Sequence, residues 1–297
     1  MTDRNRINQL LEMAWNTKSK ARTLAIVNQI LEMSPNNVDA LILKADNTEN
    51  APERTQLLLH ALEALNTPGN FVPEDEEVLR FVVNHRLAFT AFYDNKFREA
   101  VAYCKTAMEY AHCDGDDEDL ALGRSSVKSL YYRLLIELKD WQGTLSETMR
   151  DDEHNLSWGY SRLVAAWMLA PEDKRGVCAG MFWDVLMMGP DVPFYMLGYF
   201  PEPDENAGDK AHDEFEFALL YYDALSASEE FFNWFSRGTI LFGLLSGRFN
   251  EREREYMLDV LDTLGGWDEY EKMSSIIVEG DDEAVIEMLA ANKCLAE

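Results

Sequence analysis

The chain has little cysteine, little positive charge and no long apolar run. Its four cysteines (Cys104, Cys113, Cys178, Cys294) have no CxxC spacing and are too sparse in 297 residues for a disulfide framework. Reduced thiols in a cytoplasmic protein are the expectation. The first residues, MTDRNRINQLLEMAW, look like an amphipathic helix and not a charged-then-apolar leader, which adds to it. Basic side chains number 27 against 54 acidic ones, a net charge of −27. Such a field repels phosphates and anionic lipid, so nucleic acid and membrane surfaces are excluded as main partners. Apolar runs such as Thr239–Leu245 and Val164–Ala170 fall far short of the roughly 20 residues a membrane helix needs. Period-two alternation is missing over any useful length, so almost no strand is expected.

Motifs for chemistry are also missing. There is no GxSxG elbow, no phosphate-cradling GxxxxGK and no GxGxxG. Asp151-Asp152-Glu153-His154 and His212-Asp213-Glu214 set carboxylates beside imidazole, but without two-His helical spacing or a Cys pair. Asp114–Asp119 lacks the glycine an EF-hand loop needs at its sixth position, and Ser125 stands where its final glutamate would be. These segments are expected to be solvated acidic loops. No catalytic residue, metal ligand or cofactor is assigned.

What is present is helical periodicity. A composition 47% hydrophobic and 11% aromatic can fill a sizeable core. In Asp94–Met108 (DNKFREAVAYCKTAM), Phe97, Ala100, Cys104 and Ala107 recur at helical spacing and form one face for a neighbouring helix. Cys104 there is a small packing residue, and Cys178 is expected to be another. Pro35 and Pro68, 33 positions apart, each end a helical segment, Thr23–Ser34 and Pro52–Asn66. Each is preceded by another, Arg6–Asn16 and Asn37–Asn47. The roughly 34-residue spacing is that of helical-hairpin repeats. Later pairs are Glu77–Tyr93 with Lys96–His112, Ser125–Leu138 with Trp141–Met149, and Leu156–Ala170 with Arg175–Met188. The acidic insertion Cys113–Asp119 stretches one period, and Trp141 stands where Phe97 stood.

A sixth unit opens at Val192 and is interrupted by the loop Pro201–Asp213. Beyond it, Phe215–Leu225, Glu229–Leu245, Glu251–Leu264, Asp268–Glu279 and Asp282–Ala291 are helical without repeat spacing. The aromatics from Phe194 to Phe235 are expected to seal the end of the array. Within Tyr221-Tyr222 and Phe231-Phe232 the two rings cannot point the same way, so one of each faces outward.

Ala21–Asp46, Ser126–Leu138, Ser157–Leu169 and Gly189–Phe200, in that order, resemble tetratricopeptide repeat (TPR) proteins. More narrowly, they are similar to bacterial relatives of the suppressor-of-tumorigenicity TPR family. The resemblance covers roughly Ala21–Phe235 and departs from the pattern at Thr144, where alanine is usual. It implies an all-α, right-handed α-α superhelix, a TPR-like solenoid of about five hairpins over 1–200, with a helical C-terminal capping region over 201–297. It further implies a scaffold that binds a protein or peptide partner in its concave groove, with no catalysis.

In such arrays the first helix of each pair lines the groove. Extending the register from Phe97 and Ala100 puts His85 and Phe89 on that face, with Ser129, Arg133 and Arg162 in the next units. The two arginines could grip a carboxylate bidentately, or simply neutralise neighbouring acids. Two alternatives remain beside the scaffold: a structural protein that forms a homodimer through its aromatic C-terminal region, or an enzyme with a site between solenoid and C-terminal region.

Overall fold

The computed structural model describes residues 3–110, 118–152, 154–274 and 281–296. Cys113 and most of the acidic insertion, Glu153, and the end of the expected helix Asp268–Glu279 lie outside the described residues. The chain divides into two compact units, 1–134 and 135–297. Among the described residues every regular element is helical, with sixteen α-helices and three short 3-10 turns.

The first unit holds α1 (Asp3–Trp15), α2 (Lys20–Met33), α3 (Val38–Asp46), α4 (Ala51–Ala64), α5 (Glu76–Tyr93), α6 (Phe97–Glu109) and most of α7 (Glu118–Glu137). From α1 to α6 each helix packs on the next in sequence. The second holds α8 (Trp141–Thr148), α9 (Leu156–Leu169), α10 (Val177–Met188), α11 (Val192–Met196), α12 (Asp209–Tyr221), α13 (Glu229–Leu245), α14 (Glu251–Thr263), α15 (Trp267–Met273) and α16 (Asp282–Ala291). Neighbours again pack together, and α16 also returns onto α10 and α13. The molecule is an all-α array of helices packed mainly in sequential pairs.

Local chemistry sets the helix starts. Asn37, Asn50, Asp140, Asn155, Ser228 and Asp281 each cap the following helix by accepting a backbone N–H two or three residues on. Asn250 and Glu253 form a reciprocal capping box on α14.

The stops share one geometry. Asn95, Lys139, Gly198, Gly265 and Lys293 adopt positive φ. After each, the next residue's N–H returns to the carbonyl five positions back: Lys96 to Ala91, Asp140 to Leu135, Tyr199 to Phe194, Gly266 to Leu261 and Cys294 to Leu289. This left-handed stop satisfies helix-end carbonyls that would otherwise be orphaned. Phe97 and Trp141 each start a helix two residues after such a stop, and Ala100, Cys104, Thr144 and Thr148, three and seven residues into those helices, are all buried. The buried Thr144 hydroxyl is satisfied because its Oγ1 donates to the Asp140 carbonyl at 2.8 Å.

In the first unit, Ile26, Val27 and Ile30 pack with Ala40 and Leu43, and Val38, Leu41 and Ile42 pack with Leu58, Val83 and Leu87. In the second unit one buried cluster runs from Ile136 to Leu295. Aromatics dominate it: Trp167 lies 4.6 Å from Trp234, and Phe182 lies 5.2 Å from Phe235, ring to ring. Tyr221 and Phe231 are fully buried while Tyr222 and Phe232 are exposed, as their helical angles require.

The largest differences from the sequence expectation are at α7, which starts at Glu118 and not at Ser125, and at both ends of α12. α12 begins at Asp209, inside the expected Pro201–Asp213 loop, because an acid at a helix N-terminus meets the positive end of the helix dipole. It ends at Tyr221, and Tyr222–Ala227 tightens into a 3-10 turn that delivers Ser228 to cap α13.

Candidate functional site

α5 presents two contrasting faces. Leu79, Val83, Leu87, Ala88 and Ala91 are buried, and the polar Asn84 and Thr90 bond to carbonyls of their own helix, Arg80 at 2.7 Å and Arg86 at 2.8 Å. Four rings spaced by four residues run along another face: Phe81, His85, Phe89 and Tyr93. Consecutive centroids lie 5.8, 5.1 and 6.5 Å apart. Phe81 is buried at one end and Tyr93 is 72% exposed at the other, so the ladder climbs from the interior to the surface.

Two depressions of about 400 Å³ each adjoin along this ladder, and His85 and Arg86 line both. The first is polar and aromatic: Phe89 and Tyr93 meet Asp46 of α3, Arg54 of α4 and Ser126 of α7. Its cations are held. Arg86 Nε donates to Asp46 Oδ1 at 2.7 Å, and Arg54 donates twice to the Thr48 carbonyl. His85 Nε2 lies 3.4 Å from Ser126 Oγ, linking α5 to α7. Burial, reinforced by the Arg86 charge, pushes the His85 imidazole down to about 4, so the ring is neutral at pH 7.

The second depression is more apolar, with Ile42, Val78, Phe81 and Val82 beside Trp15, Asp39 and Asp75. Gly123 of α7 lets Phe81 approach, since a Cβ there would lie 3.1 Å from the ring. Desolvation raises the Asp39 carboxyl above the usual range, and the nearby Asp75 charge raises it further, against a backbone hydrogen bond that lowers it.

The sequence-predicted residues are distributed unevenly. His85 and Phe89 both line the depressions. Ser129 is half-buried on α7 and does not line either one. Arg133, also on α7, is 1% exposed and lines neither depression. Arg162 lies in the second unit with its guanidinium 5.1 Å from the Trp158 ring, and its buried Nε has no hydrogen-bond partner.

Sequence reasoning missed Trp15, Asp39, Arg54, Arg86 and Tyr93. Tyr93 had a signal, since it continues the Phe81–His85–Phe89 spacing. The Arg86–Asp46 pair spans 40 residues and had none.

Burial disfavours the thiolate at the three described cysteines, pushing Cys104 up to about 12 and Cys178 and Cys294 up to about 11. Among the described residues no group of three or more His, Cys, Asp or Glu side chains is placed to hold a metal ion, and no helix is long and apolar enough to cross a membrane. Comparison of the chain with protein-family models, curated proteins and solved structures finds no match in any of the three.

Proposed function

We propose that the chain is a cytoplasmic scaffold that binds an extended protein segment along the α5 ring ladder and acts without catalysis. One observation carries this: two adjoining depressions meet at His85 and Arg86, lined by side chains of α1, α3, α5 and α7 together with Arg54 and Leu58 of α4. A bound segment would gain affinity from shallow contacts along several helices. The same reading takes the pairs as TPR-like repeats of a right-handed superhelix, related to the suppressor-of-tumorigenicity TPR proteins, with 201–297 as its cap. The shared stop of α5–α6 and α7–α8 and their matching buried positions support it.

The test is selection of 12-residue peptides displayed on phage against the full chain, followed by affinity measurement. Selected peptides should bind Phe89→Ala/Tyr93→Ala about tenfold more weakly. Recovery of no binder, or equal binding to the variant, rejects the reading.

A second reading, self-association, rests on Leu219, Tyr222 and Phe232, which are 57%, 53% and 43% exposed in the aromatic region. Light scattering over a concentration series decides it, and a strict monomer ends it.

A further inference from the structure

We propose that the second depression is the pocket for a basic side chain of the bound segment, an arginine or a lysine, received between Asp39, Asp75 and the Trp15 indole. The inference rests on the segment-binding reading above and names its specificity.

Two carboxylates from separate elements converge there. Asp39 stands in the first turn of α3, and Asp75 ends the 3-10 turn Pro73–Asp75 that leads into α5. Neither forms an ion pair among the described residues; Asp75 is exposed, but Asp39 is half-buried, and a half-buried carboxylate ordinarily finds a cation. The cation in the same wall, Arg86, is already matched by Asp46, and His85 is neutral. The depression is therefore left with unmatched negative charge. Burial and mutual repulsion make that charge unfavourable, as the upward displacement of Asp39 records. A cation entering between the two reverses both effects.

The walls fit the rest of such a side chain. Ile42, Val78 and Val82 give apolar contact for the methylene stem of arginine or lysine. Trp15, 58% exposed at the rim, offers a ring face to a guanidinium or ammonium. An anionic or purely apolar side chain would leave the carboxylates unmatched or desolvated. The net charge of −27 draws basic segments toward the chain over a longer range.

NMR titration of the ¹⁵N-labelled full chain tests this with two probes, N-acetylarginine amide and its neutral isostere N-acetylcitrulline amide. Arginine amide should shift the Trp15 indole N–H and the Asp39 amide saturably, and citrulline amide should bind at least tenfold more weakly. Asp39→Asn/Asp75→Asn should lose about tenfold in arginine affinity. Asparagine keeps a helix-start side chain, and Trp15→Leu serves as a second variant that leaves both charges in place and should bind several-fold more weakly. Equal binding of the two amides, no shift at Trp15, or undiminished binding by the aspartate variant overturns the pocket. Selected peptides that bind at Phe89 and Tyr93 without needing a basic residue would also overturn it while leaving segment binding intact. Failure to select any peptide would instead strike the broader reading.

Discussion

His85 is a titratable residue of the candidate site whose protonation the fold displaces strongly. Unfolded, its imidazole titrates near 6.5, and folded near 4, chiefly through burial. Between those values the unfolded chain binds more protons, so the His85 contribution is complete above pH 6.5 and is lost as pH falls toward 4. Asp39 and Glu214, raised mainly by burial, act in the opposite sense: the folded chain keeps their protons longer, and stability falls as they ionise with rising pH. Urea unfolding at pH 7 and 4.5 should therefore show wild type losing about 1–2 kcal/mol more on acidification than His85→Gln, a figure discounted for the ring's partial exposure.

Glycine placement makes a second residue-scale test. A Cβ on Gly238 would lie 2.5 Å from Leu295 Cδ1 and 2.6 Å from Phe182 Cε1, both deeply buried. Gly238→Ala should cost about 1–3 kcal/mol by overpacking, measured by denaturant unfolding.

Helix stops and a charged clasp decide which elements hold together. Lys139 occupies a left-handed conformation, φ 55°, that glycine adopts without penalty. Lys139→Gly should raise stability by about 0.5–1 kcal/mol, seen as an increase in Tm. Asn95→Gly should gain less, since asparagine tolerates that conformation better.

Arg248 is the clasp of the second unit. It pairs with Asp282 through two hydrogen bonds of 2.6 and 2.8 Å, reaches Asp191 Oδ1 at 3.0 Å, and lies over the Phe242 ring at 4.5 Å. It thus joins the start of α11, the turn after α13 and the start of α16. Arg248→Met leaves two carboxylates without their cation and should cost about 3 kcal/mol in chemical unfolding.

At the scale of the molecule, 54 acidic groups against 27 basic ones make self-repulsion a general load on the folded state. Most ion pairs among the described residues have at least one well-exposed partner and offset little of it. Raising sodium chloride from 10 to 500 mM should therefore raise Tm by about several degrees, since the Debye length shrinks below the separation of most surface carboxylates. A Tm that falls with salt would mean that attractive pairs outweigh the net field.

Much of this protein followed from local chemistry written in the chain. The starts of α8, α9, α11, α13, α14 and α16 were legible because prolines, caps and apolar spacing act within a few residues. The buried face Ala100–Cys104–Ala107 and the opposed fates of Tyr221 and Tyr222 followed from the helical angle alone. His85 and Phe89 were found the same way. What the tertiary structure alone decided involves separations that no local rule spans. It joined Arg86 to Asp46, brought Trp15, Asp39 and Asp75 to one depression, placed Arg133 in the interior, and ran a single core from Ile136 to Leu295. A helix's period says which residues share a face, whereas the neighbour that covers that face is chosen by packing between elements distant in the chain.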